Sequence, residues 1–293
     1  MSKSQHEDLQ SILITGSSGF LGCNLVSRLS HSKKFKLILI NRENNFDLSK
    51  LGWTNKIPDT PIDIVIHLAQ SNKYREFPSG ADDMFQVNIA ATFELLEWAR
   101  KNDIKRFIFA STGSVYKNLQ EKATENSECD PDSFYSKSKY CAEKLIESYS
   151  DDFEIIIVRI FGLYGPGQTD NLFSNVIKKI QEGKELTLAG GKGLFLTPVF
   201  IDDAVNSFLK FINTILPNPK LIVNLAGDDS LSLCDIASFI SKVIDKPPNI
   251  KTTKKTPQYL CGDNLKYKNI FGDKKFIQFD KGIKKTLNQG EQE

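Results

Sequence analysis

The sequence predicts an α/β fold with a doubly wound parallel sheet, and three observations support this prediction. An apolar, strand-like run at Ile12–Ile14 leads into a turn with three glycines spaced three apart, after which leucines recur at helical spacing. Further apolar runs of strand type alternate with amphipathic helical segments along the chain. With 293 residues, 40% of them hydrophobic, the chain can form one large domain with a sizeable core.

The first strand, turn and helix together predict a phosphate site. Gly16, Gly19 and Gly22 let the backbone turn sharply and approach a ligand closely. The following helix offers the unpaired N–H groups and the positive dipole end of its first turn to a pyrophosphate. Because this motif opens the first βα unit and further units follow it, a dinucleotide is the expected ligand.

Hydrophobic patterns predict the elements that follow. Strands are expected at Phe35–Ile40, Ile62–Ala69, Phe107–Ala110, Ile155–Val158, Glu185–Ala189 and Leu221–Ala226. Helices are expected around Tyr135 and Lys139 and at Met84–Asn102, Asn171–Gly183, Ala204–Ile212 and Leu233–Ile244. Asp202 and Asp203 are expected to cap the helix Ala204–Ile212.

Composition and charge disfavour several classes of partner. The net charge is +2, from 38 basic and 36 acidic residues, so no strong field attracts nucleic acid or a membrane surface. The first ten residues lack the apolar core of a signal peptide, and no apolar run approaches the roughly 20 residues of a membrane span. The five cysteines are scattered and form no Cys-x-x-Cys pair. We expect reduced thiols in a cytoplasmic protein, no metal site and a small-molecule substrate.

The glycine spacing, written TGSSGFLG in this chain, resembles the extended short-chain dehydrogenase/reductase family in its NAD-dependent epimerase/dehydratase branch. Four more features follow in the family's order: a strand ending in His67-Leu68-Ala69, a helix with Asn88, a strand leading into Ser111–Tyr116, and Tyr135 four residues before Lys139. The resemblance runs from Ser11 to about Leu287. It implies a Rossmann-like NAD(P)-binding domain in residues 1–162 and about 197–226. A small discontinuous C-terminal substrate lobe is implied in residues 163–196 and 227–293.

Tyr135 and Lys139 are the expected catalytic pair. Four residues apart on a helix, they share one face. A nearby ammonium favours the phenolate form of a phenol, so Tyr135 can take a hydroxyl proton as hydride leaves for a nicotinamide and can return it later. Lys139 is also expected to hold the nicotinamide ribose hydroxyls. The family pattern puts Thr112 at the hydroxyl that hydrogen-bonds the reacting oxygen, with Ser111 as the alternative.

The resemblance also implies a set of ligand contacts. The expected dinucleotide contacts are Gly16, Ser18, Gly19, Phe20, Leu21, Gly22, Asn41, Arg42, Asp47, Leu48, Leu68, Ala69, Asn88, Ser111, Tyr135, Lys139 and Phe161. The expected substrate contacts are Gln70, Ser114, Gly162 and Lys192. Arg42 favours NADP(H) over NAD(H), because arginine pairs well with a 2'-phosphate, although a solvated loop charge is the alternative. His67 is expected to be structural.

Three departures from the family pattern bear on the reaction. Gly113 and Ser114 stand where the 4,6-dehydratases carry an Asp-Glu pair, so dehydration is disfavoured. Gly162 replaces an Asn that often contacts substrate. Leu196 replaces an Arg that often holds the diphosphate, a contact that Lys192 could supply instead.

The leading expectation is an NAD(P)-dependent epimerase that acts on a nucleotide-sugar through a keto intermediate. An NADPH-dependent keto-sugar reductase, which Arg42 favours, and a relative acting on a non-nucleotide carbonyl or alcohol remain open. A non-catalytic dinucleotide sensor is disfavoured by the intact Tyr135, Lys139 and Thr112. The family implies a homodimer in which the Asn88 helix and the Tyr135 helix of two subunits form a four-helix bundle. Candidate contacts are Phe93, Trp98 and the helix Tyr140–Tyr149, although packing within one chain explains them equally well.

Overall fold

A computed structural model describes residues 9–117 and 120–288, and these residues form two compact units. The first unit contains the described residues up to Ser111, together with Pro131–Val158 and Phe208–Ile222. The second contains Thr112–Asp130, Arg159–Ser207 and the described chain from Val223 onwards. Of the two segments predicted as a substrate lobe, 163–196 and the described part of 227–293 belong to the second unit, and their role stays a prediction.

The described strands are β1 (Gln10–Thr15), β2 (Phe35–Ile40), β3 (Ile64–His67), β4 (Arg106–Thr112), β5 (Glu154–Ile160), β6 (Leu163–Tyr164), β7 (Glu185–Ala189), β8 (Leu194–Leu196), β9 (Val199–Phe200), β10 (Lys220–Leu225), β11 (Leu231–Ser232), β12 (Asn249–Thr253) and β13 (Gln258–Leu260). The α-helices are α1 (Phe20–Ser30), α2 (Ala81–Phe85), α3 (Ala91–Lys101), α4 (Phe134–Glu147), α5 (Leu172–Gln181), α6 (Ile201–Asn213), α7 (Leu233–Ile244), α8 (Leu265–Phe271) and α9 (Phe279–Asn288).

Six strands form the main sheet in the order β10-β5-β4-β3-β1-β2. β1 pairs in parallel with both β2 and β3, and β3 pairs in parallel with β4. The strand order therefore runs outward in both directions from β1 and β3, which confirms the predicted doubly wound sheet. In folds of this kind, ligands bind beyond the carboxyl ends of the strands, at the point where the order reverses.

Apolar side chains from the sheet and two helices form the core of the first unit. Leu13, Val65 and Phe107 extend from the strands and pack with Leu95 of α3 and Ala142 of α4, all of them fully buried. Each large side chain buried in this way contributes roughly 1.5–3 kcal/mol. The core therefore fixes α3 and α4 against the sheet, and α4 carries Tyr135 and Lys139.

Two predicted helix starts are wrong. The helix expected at Met84–Asn102 begins at Ala81 and is interrupted by a π-helical turn, Gln86–Ala90, between α2 and α3. α6 begins at Ile201, directly after β9, so Asp202 and Asp203 lie within its first turn and do not cap it. Asp203 instead accepts a hydrogen bond from the backbone N–H of Ile277 through Oδ2 at 2.6 Å, and burial raises the pKa of its carboxyl group.

Short strand pairs and an aromatic cluster organise the second unit. β7 pairs in parallel with β12, β6 pairs in parallel with β9, and β8 lies between β11 and β13. The ring of Tyr164 lies 5.2 Å from that of Phe173, 5.4 Å from that of Phe200 and 4.9 Å from that of Phe279, centroid to centroid. These contacts bring α5, β9 and α9 together.

Within residues 9–117 and 120–288, no helix combines the length and apolar character needed to cross a membrane. The same residues contain no group of three or more His, Cys, Asp and Glu side chains suited to a metal ion. All five cysteines are free thiols.

Candidate active site

The glycine turn has the geometry that close approach to a ligand requires. Gly16 has φ +67°, and a Cβ atom there would lie only 2.7 Å from the backbone nitrogen of Ala69. A Cβ on Gly22 would overlap the carbonyl oxygen of Gly16. Gly19 is the N-cap of α1, and no side chain among the described residues caps that helix. The first-turn N–H groups are therefore suited to a phosphate, and the pyrophosphate contact predicted for this turn fits its geometry.

The loop after β2 lies beside this turn. Asn41 donates from Nδ2 to Ser17 Oγ at 2.8 Å and accepts from the backbone N–H of Asn44 at 2.9 Å. These bonds tie the carboxyl end of β2, where the adenosine ribose is expected, to the glycine turn. The carboxylate of Asp47, predicted to contact adenine, accepts hydrogen bonds from the hydroxyl and backbone N–H of Ser49. Leu48 packs against the core.

A basic pocket of about 550 Å³ opens along the same loop. Arg42, Lys50 and Lys56 contribute cations to its lining, against the single carboxylate of Asp47, which lies 3.4 Å from Lys50 Nζ. Trp53 also lines the pocket, is almost fully buried, and its Nε1 has no hydrogen-bond partner among the described residues. This lining favours an anionic group near Arg42.

His67 lies at the end of β3 and is fully buried. Its Nδ1 lies 2.6 Å from Thr15 Oγ1 and its Nε2 lies 2.9 Å from Thr92 Oγ1. Burial, and then the charge of Lys139, lower the pKa of His67 to about 3. The imidazole is therefore neutral, and its role as a link between β1, β3 and α3 agrees with the structural role expected for it.

Asn88 occupies the π-helical turn between α2 and α3 and is buried. Its Oδ1 accepts from the backbone N–H of Ser71 at 2.8 Å, and its Nδ2 donates to Ser138 Oγ at 2.9 Å. Its carbonyl oxygen accepts from Thr92 Oγ1 at 2.8 Å. Asn88 thus joins three segments: the loop after β3, α3 and the helix of the catalytic pair.

Helix α4 presents Tyr135 and Lys139 one turn apart. Ser133 begins the helix as its N-cap by accepting from the backbone N–H of Ser136 at 3.1 Å. The hydroxyl of Tyr135 donates to Gln70 Oε1 at 3.0 Å. Lys139 is only 2% exposed and places Nζ 4.0 Å from the centroid of the Phe109 ring. Burial lowers the pKa of Lys139 to about 7, an effect that the charge of Glu143 opposes.

Ser111 and Glu143 form a second buried polar pair beside this helix. The hydroxyl of Ser111 donates a short hydrogen bond to Glu143 Oε1, and the Glu143 side chain is fully buried. Ser111 lies on β4 and Glu143 lies on α4, one turn after Lys139. The hydroxyl of Ser111 is therefore engaged by a carboxylate.

Thr112 and Ser114 lie where β4 ends. Thr112 Oγ1 accepts from the backbone N–H of Ser114 at 3.2 Å and lies 3.2 Å from its hydroxyl oxygen. These bonds cap the short 3₁₀ turn Gly113–Val115. They fix the Thr112 side chain at the strand end, and its contact with a substrate stays a prediction.

The model of the NAD dependent epimerase/dehydratase family matches residues 12–226, which include the glycine turn, the strand end with Thr112 and the Tyr135–Lys139 pair. The chain belongs to this family. It is an enzyme of the short-chain dehydrogenase/reductase type, and its glycine turn suits the nicotinamide dinucleotide on which the family depends.

Relatives within the family include nucleotide-sugar enzymes. A Bacillus subtilis protein described as an uncharacterised UDP-glucose epimerase, YtcB, is 31% identical over 261 residues, covering 79% of this chain and 81% of that protein. A UDP-glucuronate 4-epimerase of Thermodesulfobacterium geofontis is 27% identical over 308 residues and 94% of each chain. The solved UDP-glucuronic acid 4-epimerase of Bacillus cereus, in complex with UDP-glucuronic acid and NAD, has a TM-score of 0.83 at 24% identity. It covers 97% of this chain and 99% of its own, and this likeness shows the fold.

Three more candidate ligand residues belong to the second unit, in addition to Thr112 and Ser114. The ring of Phe161 is buried and stacks on that of Tyr116 at 6.1 Å, so a dinucleotide contact by Phe161 would fall to its backbone. Gly162 has φ +58° and accepts at its carbonyl from the N–H of Val199 at 3.1 Å. Lys192 is exposed on the turn between β7 and β8, where its backbone bonds Ala189 and Cys234.

Sequence reasoning missed Glu143, Ser138 and the aromatic ring of Tyr74. Tyr74 lies 5.3 Å from the ring of Tyr135, centroid to centroid. The spacing of Glu143 four residues after Lys139 was a usable signal, because i and i+4 residues are neighbours on a helix. Tyr74 offers no comparable signal, because it is far from Tyr135 in the sequence and only the folded chain brings the two rings together.

Proposed function

We propose that this enzyme is an NAD(P)-dependent epimerase that acts on a nucleotide-sugar through a keto-sugar intermediate. The observation that carries the proposal is the pair on α4, a tyrosine hydroxyl and a buried lysine one turn apart. The Bacillus subtilis relative described as a UDP-glucose epimerase and the Thermodesulfobacterium geofontis UDP-glucuronate 4-epimerase support a UDP-sugar as the substrate class.

Each residue of the pair has a defined task. The bound nicotinamide supplies the acceptor that takes a hydride from the sugar and returns it. Tyr135 takes the proton of the sugar hydroxyl and later gives it back, and its bond to Gln70 gives the phenol a resting partner. The ammonium of Lys139 stabilises the phenolate and holds the ribose hydroxyls. Thr112 donates to the reacting oxygen, and Lys192 is the proposed diphosphate contact.

A second candidate, an NADPH-dependent keto-sugar reductase, is favoured by the basic pocket. Arg42, Lys50 and Lys56 line it, and a guanidinium pairs well with the 2'-phosphate that distinguishes NADP from NAD. A reductase exchanges its cofactor in every turnover, whereas an epimerase regenerates it and can keep it bound. Cofactor retention and cofactor preference therefore separate the two reactions.

The deciding experiment is to denature the purified protein, identify any released dinucleotide, and titrate NAD(H) and NADP(H) into the stripped protein. Retained NAD supports the epimerase. Weak, exchangeable binding with a preference for NADPH that Arg42→Ala abolishes supports the reductase. Arg28→Ala, at an exposed arginine on α1, is the matched control and leaves the preference unchanged. Absence of binding to either dinucleotide contradicts both proposals.

We also propose that two copies of the chain pair through α2 and α3. Phe85 and Phe93 are 49% and 51% exposed, which favours an apolar contact with a second copy. Trp98, the other candidate, packs against the core of its own unit. Light scattering after size exclusion gives twice the chain mass if the proposal holds, and Phe93→Asp reduces that mass towards the monomer.

A further inference from the structure

Glu143 is a buried carboxylate to which the proposed reaction gives no task. Its side chain is fully buried on α4, four residues after Lys139, so the two side chains lie on one face of the helix. The hydroxyl of Ser111 donates to Oε1. Burying a carboxylate is costly unless it is hydrogen-bonded, and Ser111 supplies this bond. The charge of Glu143 in turn acts on Lys139.

Lys139 needs such a partner. Its ammonium is buried over the face of Phe109, where a cation–π contact replaces only part of the lost hydration. Burial lowers the pKa of Lys139 to about 7 even though the charge of Glu143 acts in the opposite direction. Among the other titratable groups, His67 on β3 is neutral above about pH 3, and Tyr135 lies one helical turn before Lys139 on α4. Without Glu143 the pKa of Lys139 would fall further, and a lysine that is largely neutral at pH 7 stabilises a phenolate poorly.

We propose that Glu143 is a positioning residue that keeps Lys139 charged and in place beside Tyr135, and that Ser111 anchors the Glu143 carboxylate for this task. The proposal deepens the proposed function and rests on it, because that reaction needs a charged lysine. Tyr135, Lys139 and Glu143, which follow one another at intervals of four residues on α4, then act as one electrostatic unit. In this unit Tyr135 carries the proton, Lys139 is the cation and Glu143 is its counter-ion.

The test follows NADH binding and activity from about pH 4.5 to 9 in the wild type and in Glu143→Gln, a range that covers the Lys139 pKa of about 7 and the expected shift below it. Both quantities fall in the wild type as Lys139 loses its proton. In Glu143→Gln we expect this fall at a pH lower by about one to two units, as for a unit charge removed roughly one helical turn away. Glu143→Asp keeps the charge and restores most of the wild-type profile. Glu147→Gln, one turn further along α4, is the matched control, because Glu147 bonds Lys144 and Lys220.

Binding is scored without any sugar, so the result does not depend on which reaction the enzyme catalyses. A Glu143→Gln profile identical to the wild type overturns the proposal, as does an equal shift in Glu147→Gln. If Glu143→Gln does not fold, Ser111→Ala tests the same unit, since it keeps the carboxylate and removes its donor. We expect a smaller shift in the same direction there, and an unshifted profile in folded Ser111→Ala also overturns the proposal.

Discussion

Replacing His67 with Gln should reduce the acid sensitivity of the fold. In the folded protein His67 is buried between two threonine hydroxyls, and burial together with Lys139 lowers its pKa from 6.5 to about 3. The unfolded chain takes up a proton on this histidine below pH 6.5, whereas the folded chain does so only near pH 3. The stability linked to His67 is therefore complete above pH 6.5 and is lost as the pH falls towards 3.

The size of this effect follows from the two pKa values. Between pH 8 and pH 5 the unfolded state gains about 2 kcal/mol from protonation of this single group. The assay is urea unfolding at both pH values for the wild type, His67→Gln and the exposed-site control His31→Gln. We expect the wild type and His31→Gln to lose about 2 kcal/mol more than His67→Gln between pH 8 and pH 5. Equal losses in all three proteins would refute a buried neutral histidine.

Three further substitutions test the site. Gly22→Ala should abolish dinucleotide binding, because the added Cβ would overlap the carbonyl oxygen of Gly16. Nicotinamide fluorescence measures this binding, and an unchanged affinity would contradict the tight turn. Asn88→Ala should lower the free energy of unfolding in urea by about 1–3 kcal/mol and lower kcat, because it removes the hydrogen bonds to Ser71 and Ser138. A loss of kcat without a loss of stability would contradict this structural role. Thr112→Val should lower kcat roughly 100-fold with dinucleotide affinity unchanged, and full activity would remove Thr112 from the reaction.

The features that the sequence predicted well are governed by local rules. The glycine turn follows from backbone sterics, since Gly16 needs a positive φ that other residues avoid. The common face of Tyr135 and Lys139 follows from helical geometry alone. The doubly wound sheet follows from the alternation of apolar strands with amphipathic helices, and β2, β7 and α7 have the predicted bounds.

The features that the sequence did not predict depend on contacts between distant segments. The hydrogen bond from Ser111 to Glu143 joins residues 32 apart, and that from Ile277 to Asp203 joins residues 74 apart. No local pattern encodes such a pair. The π-helical turn around Asn88 also involves distant segments, because Asn88 bonds Ser71 in the loop after β3 and Ser138 on α4.

The most direct test of the account compares wild type with Tyr135→Phe on UDP-sugars. Each protein is incubated with UDP-glucose and with UDP-glucuronic acid, and proton NMR follows the appearance of the C4 epimer. Dinucleotide affinity is measured in parallel. We expect the wild type to form the epimer of at least one sugar without net accumulation of reduced cofactor. Tyr135→Phe should lose at least about 100-fold in rate at unchanged dinucleotide affinity. A Tyr135→Phe protein as active as the wild type would contradict the account.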